Sequence, residues 1–111
     1  MMVFSLNTKK NSRSKIHTIE VRGDVVGRDS ERFKKAMDDL IDEKCNGINL
    51  DLQQVNFMDS PGLGVLTYYH MWLKERSKTL KVTISHPTLL SDLFEKTKLD
   101  QALEVEVAER L

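Results

Sequence analysis

The residue types best suited to chemistry lie together between Asp59 and Gly64, where a carboxylate and a hydroxyl precede a glycine-rich helix start. Ser60 fits the N-cap position, where a hydroxyl accepts a hydrogen bond from a free backbone N–H. Pro61 fits the first helical position, because its fixed φ suits a helix and no amide donor is needed there. Gly62 and Gly64 add no bulk, so another molecule could approach the hydroxyl closely. The stretch predicts an exposed hydroxyl at the positive end of a helix.

A phosphate group suits this position. Phosphorylation adds about −1.5 to −2 charges, and a helix N-terminus stabilises an anion by about 0.3–1 kcal/mol, up to about 2. Repulsion between Asp59 and the phosphate opposes this stabilisation. The repulsion energy is of a similar order, ~3 kcal/mol per unit charge pair at ~6 Å and an effective dielectric near ~20. Because the two effects roughly cancel, we expect modification of Ser60 to act at an interface with a partner and not on the fold.

Hydrophobic periodicity predicts the order β, β, α, β, α, β, α and a short final strand. Since helical crossovers return the chain to the same end of a sheet, the strands that they connect should be parallel. The pattern predicts an α/β fold, in which helices pack against a mixed, mostly parallel sheet of about five strands with an N-terminal hairpin. The expected strands are Met2–Thr8, Ile16–Val21, Ile48–Leu52, Lys81–Ser85 and Leu103–Val107. The first expected helix carries Asp29 and Glu31 in its first turn and ends near Asn46, and the second runs from Pro61 to about Lys78. The third has an inward stripe of Leu89, Leu90, Leu93 and Phe94.

The helix that follows Ser60 carries apolar residues around more of its circumference than one stripe requires. Either the helix is deeply buried, or one face packs on the sheet while a rim that includes Tyr69 and Trp72 contacts a partner. We favour the second interpretation, because Tyr and Trp are frequent at interface hot spots.

Other kinds of site find little support. The nucleophile elbow Gly-x-Ser-x-Gly has Met58 where its first glycine belongs, and the three histidines are too scattered for a catalytic or metal-binding pattern. No Gly-Lys-Ser/Thr phosphate-binding loop occurs. Cys45 has no companion that would activate it, and we expect it to be a small apolar filler. The sequence therefore predicts no enzyme, no cofactor and no metal site.

The overall composition is that of one ordinary globular domain. The 111 residues, 1–111, are expected to form a single domain, and 17 basic residues balance 17 acidic ones. This balance favours neither nucleic acid nor an anionic membrane as a partner. The sequence has no apolar run of membrane-spanning length and no signal-peptide pattern at the N-terminus. One cysteine is compatible with a reducing compartment, so we expect a cytoplasmic protein.

Asp59-Ser60-Pro61-Gly62-Leu63-Gly64, after a hydrophobic strand and Phe57-Met58, resembles the Asp-Ser-Ser/Thr-Gly-Leu-Gly signature of STAS domains. The resemblance covers nearly the whole chain: in the order of its elements and in its length, the chain resembles bacterial anti-sigma factor antagonists of the SpoIIAA/RsbV type. In that family a partner anti-sigma factor, which is also a serine kinase, phosphorylates the serine after the aspartate. The resemblance implies that Ser60 is the phosphorylation site. The sequence departs from the family pattern at Pro61, which replaces a second hydroxyl residue, and at Lys98, which replaces a glycine and should affect only helix termination.

The resemblance also implies neighbours for the phosphorylated serine. Family members carry an aspartate in the loop after the second strand, and Asp24 is the residue at the matching place; it could equally be an ordinary residue of a strand-to-helix loop. The other expected neighbours are Asp59, Pro61 and Gly62. The residues expected to contact the partner are Leu63, Gly64, Val65, Tyr69 and Trp72.

Two functions follow from these expectations. The first is an anti-sigma factor antagonist that binds its anti-sigma factor, releases the sigma factor, is switched off by phosphorylation of Ser60 and is reset by a phosphoserine phosphatase. The alternative is a STAS interaction scaffold, within a larger regulatory or transport complex, whose serine is never modified.

Overall fold

The computed structural model describes residues 3–109. The strands are β1 (Ser5–Lys9), β2 (Ile16–Arg22), β3 (Gly47–Gln54), β4 (Thr79–His86) and β5 (Glu104–Glu109), and the helices are α1 (Arg28–Leu40), α2 (Ser60–Glu75), α3 (Leu89–Thr97) and α4 (Leu99–Ala102). The predicted element order is confirmed, except that α4 was not expected. Met2, predicted as the start of the first strand, lies outside the described residues.

The five strands form one sheet in the order β1-β2-β3-β4-β5. β1 pairs antiparallel with β2 as the predicted hairpin, and the remaining neighbours are parallel. The register places Ile19 beside Leu50 and Leu50 beside Val82, and all three side chains are buried. Thr18, Asn49 and Lys81 alternate with these residues and form a more polar, more accessible face. The helices therefore share one core with a single face of the sheet.

Helix α1 ends at Leu40, six residues before the predicted end at Asn46. Ile41 is extended and remains buried, so its apolar side chain belongs to the core and not to a further helical turn. The Asp42 carboxylate then accepts hydrogen bonds from the amides of Lys44 and Cys45, both at 2.9 Å. This side-chain turn satisfies backbone donors that a longer helix would have paired.

Lys98 ends α3 in the left-handed conformation, with φ of 60°. A glycine adopts this conformation without the penalty that a Cβ brings. Lys98 therefore lies at the end of a helix, and that its effect is confined to helix termination stays a prediction. Among residues 3–109, no helix is both long enough and apolar enough to cross a membrane.

Candidate functional site

The site lies at the C-terminal ends of β2 and β3, where the two following loops run side by side. The amide of Gly23 donates to the carbonyl of Gln54, and the amide of Val25 donates to the carbonyl of Phe57, both at 3.0 Å. The amide of Asp59 returns a bond to the carbonyl of Val25, also at 3.0 Å. These bonds extend the parallel pairing beyond the sheet and hold the start of α2 against the β2–α1 loop.

The Asp59 carboxylate connects three parts of this region. Its Oδ2 accepts a hydrogen bond from the Gly27 amide at 2.8 Å, and its Oδ1 accepts one from Ser30 Oγ at 2.6 Å. Oδ1 also accepts the Gly62 amide of the first turn of α2 at 3.0 Å. One side chain therefore joins the β2–α1 loop, helix α1 and helix α2.

These contacts correct the predicted position of Ser60. Asp59 and not Ser60 is the N-cap of α2, and Ser60 is the first helical residue. Asp and Ser have similar N-cap preferences, but only the carboxylate, with two oxygens, can cap the helix and also bind Gly27 and Ser30. Ser60 is thereby released from capping. Its side chain is exposed, and within the described chain its hydroxyl makes no hydrogen bond.

The electrostatics of Asp59 favour the ionised carboxylate. Burial is the largest single influence and raises the pKa of Asp59, but hydrogen bonds from Ser30, Gly27 and Gly62 together outweigh burial. The pKa is therefore lower than its ordinary value of 3.8. The carboxylate thus forms its hydrogen bonds with the β2–α1 loop, α1 and α2, and none with the Ser60 hydroxyl.

The two glycines of α2 differ in role. A Cβ on Gly62 would lie 2.5 Å from Met58 Cγ, and Met58 is buried, so Gly62 permits close packing inside the protein. This corrects the prediction that Gly62 leaves space for a visiting molecule. A Cβ on Gly64 would meet nothing within 4 Å. Only Gly64 leaves open surface beside Ser60.

The partner rim predicted on α2 is wrong for two residues. Tyr69 is 4% exposed and Val65 is 8% exposed, and both belong to the core. Trp72 is half-buried and carries the Arg76 guanidinium 3.7 Å from its ring centroid, and Leu63 is also half-buried against the core. The rotation of α2 that buries Tyr69 exposes Tyr68, a residue that the sequence analysis did not assign to the rim.

An exposed stripe therefore begins at the serine and follows α2. Tyr68 is 59% exposed and Met71 is 50% exposed. These side chains share a helix face with Ser60 and Gly64, since residues three or four apart lie next to each other. We call this set the α2 stripe: Ser60, Gly64, Thr67, Tyr68 and Met71, all exposed.

The remaining predicted residues have varied surroundings. Asp24 is exposed in the β2–α1 loop, next to Val25, which pairs with Met58; among residues 3–109 it forms no hydrogen bond or ion pair. Pro61 is exposed beside Ser60. Cys45 is fully buried, and burial raises the pKa of its thiol. In the described chain, no three His, Cys, Asp or Glu side chains are grouped to hold a metal ion.

Sequence reasoning missed Gly27 and Ser30 as partners of Asp59. Both lie about thirty residues before it in the chain, so no local spacing connects them to the helix start. The sequence signal at Gly27 was the glycine itself, which fits the φ of 58° that the structure shows there. Ser30 gave no signal, because its burial at 3% exposure depends on how α1 packs.

Replacing Asp59 by alanine should lower the free energy of unfolding by about 2–4 kcal/mol. The change removes a helix cap and leaves the buried Ser30 hydroxyl and the Gly27 amide without their acceptor. Chemical denaturation followed by circular dichroism measures the loss. Asp24→Ala, an exposed neighbour without partners, is the control and should change stability by less than about 0.5 kcal/mol. Equal effects of the two variants would contradict the structural role of Asp59.

Alanine at the two glycines should have effects of opposite sign. Gly62→Ala forces a Cβ against buried Met58 and should destabilise the protein by about 1–3 kcal/mol. Gly64→Ala, in the open first turns of the same helix, should stabilise it by about 0.5–1 kcal/mol through helix propensity. Thermal unfolding of both variants provides the comparison, and a stable Gly62→Ala protein would refute the close packing at Met58.

Comparison with known proteins agrees with the fold. A family model described as "Mlab, STAS domain" matches residues 9–106. An anti-sigma factor antagonist from Mycobacterium paratuberculosis has a similar structure, with 19% identity, a TM-score of 0.75, and coverage of 91% of this chain and 85% of that one.

The SpoIIAA protein is similar in both of its forms. The unphosphorylated form has 18% identity, a TM-score of 0.74, and coverage of 96% of this chain and 88% of that one. The phosphorylated form, from Bacillus, has 17% identity, a TM-score of 0.66, and coverage of 96% and 91%. At these identities the structures show a shared SpoIIAA-like fold, and the family match spans most of the sequence. The chain belongs to the STAS domain family.

Proposed function

We propose that this protein is an anti-sigma factor antagonist whose activity is controlled at Ser60. The observation that carries the proposal is the exposed hydroxyl of Ser60, which has no partner within the described chain and lies at the start of a helix that Asp59 caps. The similar structures named for antagonists, and the phosphorylated form of SpoIIAA among them, support the same role.

In the unphosphorylated state, the α2 stripe contacts the cognate anti-sigma factor and the bound sigma factor is released. Tyr68 and Met71 supply apolar area with little polar surface to desolvate, and Gly64 lets the partner approach the helix closely. The Tyr68 ring also has a fixed support, since it meets the buried Tyr69 ring edge-on with centroids 4.9 Å apart. A supported aromatic side chain loses less conformational entropy on binding.

The anti-sigma factor is also the serine kinase in this proposal. It supplies ATP and transfers the γ-phosphoryl group to Ser60 Oγ, which releases ADP and a proton. The phosphoserine carries about −1.5 to −2 charges, and burying that charge against an apolar partner surface costs several kcal/mol. Since each ~1.4 kcal/mol is a tenfold change in affinity, the complex dissociates. A phosphoserine phosphatase restores the hydroxyl, and the antagonist itself is not an enzyme.

Binding of Ser60 variants to an anti-sigma factor kinase from the same organism tests the proposal. Ser60→Asp should weaken binding at least about tenfold, since it places a charge in the interface. Ser60→Ala should bind as the parent does and should accept no phosphate. Tyr68→Ala should weaken binding about tenfold. Lys35→Ala changes an exposed side chain of α1, outside the α2 stripe, and should have no effect. Isothermal titration calorimetry gives the affinities, and equal binding by Ser60→Asp and Ser60→Ala would refute the switch.

A second candidate function is a STAS scaffold with an unmodified serine, in a larger regulatory or transport complex. Two observations favour it: Pro61 replaces the second hydroxyl residue of the signature, and the matching family model is described as MlaB and not as an antagonist. Incubation with the kinase and ATP, followed by intact mass measurement, separates the candidates. The gain of one phosphate on Ser60 rejects the scaffold, whereas an unchanged mass with undiminished partner binding supports it.

A further inference from the structure

A groove of about 440 Å³ lies between α1 and α2, next to the candidate site. Its walls include Arg28, Glu31 and Lys34 from α1, and Pro61 and Val65 from α2. Apolar surface from Pro61 and Val65 therefore lies beside charged side chains. None of the functions discussed above uses these charges.

Arg28 is the groove cation that lies next to the Asp59 contacts in the chain. It follows Gly27, whose amide lies 2.8 Å from Asp59 Oδ2, and Ser60 follows Asp59 directly. Pro61, the residue after Ser60, lines the same groove as Arg28. The Asp59 hydrogen bond thus joins the backbone segment that carries Arg28 to the segment that carries Ser60, and both segments border one groove.

The Arg28 guanidinium is also unengaged. Across residues 3–109 it forms no ion pair or hydrogen bond, and its side chain is exposed. The other groove cation, Lys34, is bonded to Asp38 at 3.0 Å. Arg32, one turn further along α1, is paired with Asp29 at 3.3 Å. Of the cations on this part of α1, only Arg28 is left without an anion.

We propose that Arg28 binds the phosphate group of phosphorylated Ser60. This inference rests on the proposed function and assigns a regulatory residue to the same site. A guanidinium presents paired N–H donors that match two phosphate oxygens, which a lysine cannot do in the same geometry. The attraction between Arg28 and the phosphate offsets the repulsion from the acidic groups around the site, which are Asp24, Asp29, Glu31 and Asp59. Arg28 thereby holds the phosphate over the mouth of the groove.

If Arg28 binds the phosphate, phosphorylation changes the surface of the groove as well as the surface at Ser60. Arg28 draws the phosphate over Pro61 and Val65, so the start of the α2 stripe and the neighbouring groove become charged and covered together. The same contact stabilises the dianionic phosphate and lowers its pKa from the usual value of about 6.

The test uses the full chain with phosphoserine incorporated at position 60 during translation, so no kinase is needed. Titration by phosphorus NMR should show a phosphate pKa lower in the parent than in Arg28→Gln by about 0.3–0.7 unit, as expected for an exposed but well-matched ion pair. Lys35→Gln is the matched control, since it removes the same charge about 10 Å further along α1. Its phosphate should titrate as in the parent.

Two outcomes would overturn the inference. The phosphate could titrate identically in the parent and in Arg28→Gln, or Lys35→Gln could raise its pKa as much as Arg28→Gln does, which would show an effect of net charge alone. Because the phosphoserine is built in, neither outcome depends on whether a kinase modifies Ser60. Failure of the proposed function would instead appear as an unchanged mass after incubation with kinase and ATP.

Discussion

The arrangement of the site depends on the hydrogen bonds that the Asp59 carboxylate accepts. Without them, the hydrogen bonds between the β2–α1 loop and the segment that leads into α2 would be backbone bonds alone. With them, Gly27, Ser30 and Gly62 converge on one side chain. Asp59 takes the capping role that a serine could have filled, and the adjacent hydroxyl of Ser60 remains free for another molecule. A structural requirement at one residue thereby leaves an exposed hydroxyl without a hydrogen bond at the next.

This division of roles explains how a regulatory charge can be added without harm to the fold. Ser60 lies outside the core, and the negative charge of Asp59 already accepts hydrogen bonds from the β2–α1 loop, α1 and α2. A phosphate on Ser60 would therefore change the surface that a partner meets and leave the packing below it intact. Tyr68 and Met71 continue the exposed surface along α2, so in the proposed function a single modification at its end would affect the whole contact.

The sequence predicted the element order, the antiparallel hairpin and an exposed serine at the start of a helix, because these follow from periodicity and local residue preference. It could not choose between Asp59 and Ser60 as the cap, since the choice depends on Gly27 and Ser30, which are distant in the chain. It also assigned Tyr69 to the surface. Tyr68 and Tyr69 are adjacent on a helix with apolar residues on most sides, and only the packing of α2 against the sheet determines which ring is buried.

The most direct test of the Asp59 contacts is the pH dependence of the Gly27 and Gly62 amide resonances. A carboxylate with a lowered pKa stabilises the fold above its unfolded value of 3.8, and this contribution is lost as the pH falls through its folded pKa. Proton–nitrogen NMR spectra should therefore show both amides shifting with one midpoint below 3.8, and Asp59→Asn should abolish the transition. A midpoint at or above 3.8, or a transition that persists in Asp59→Asn, would contradict the account.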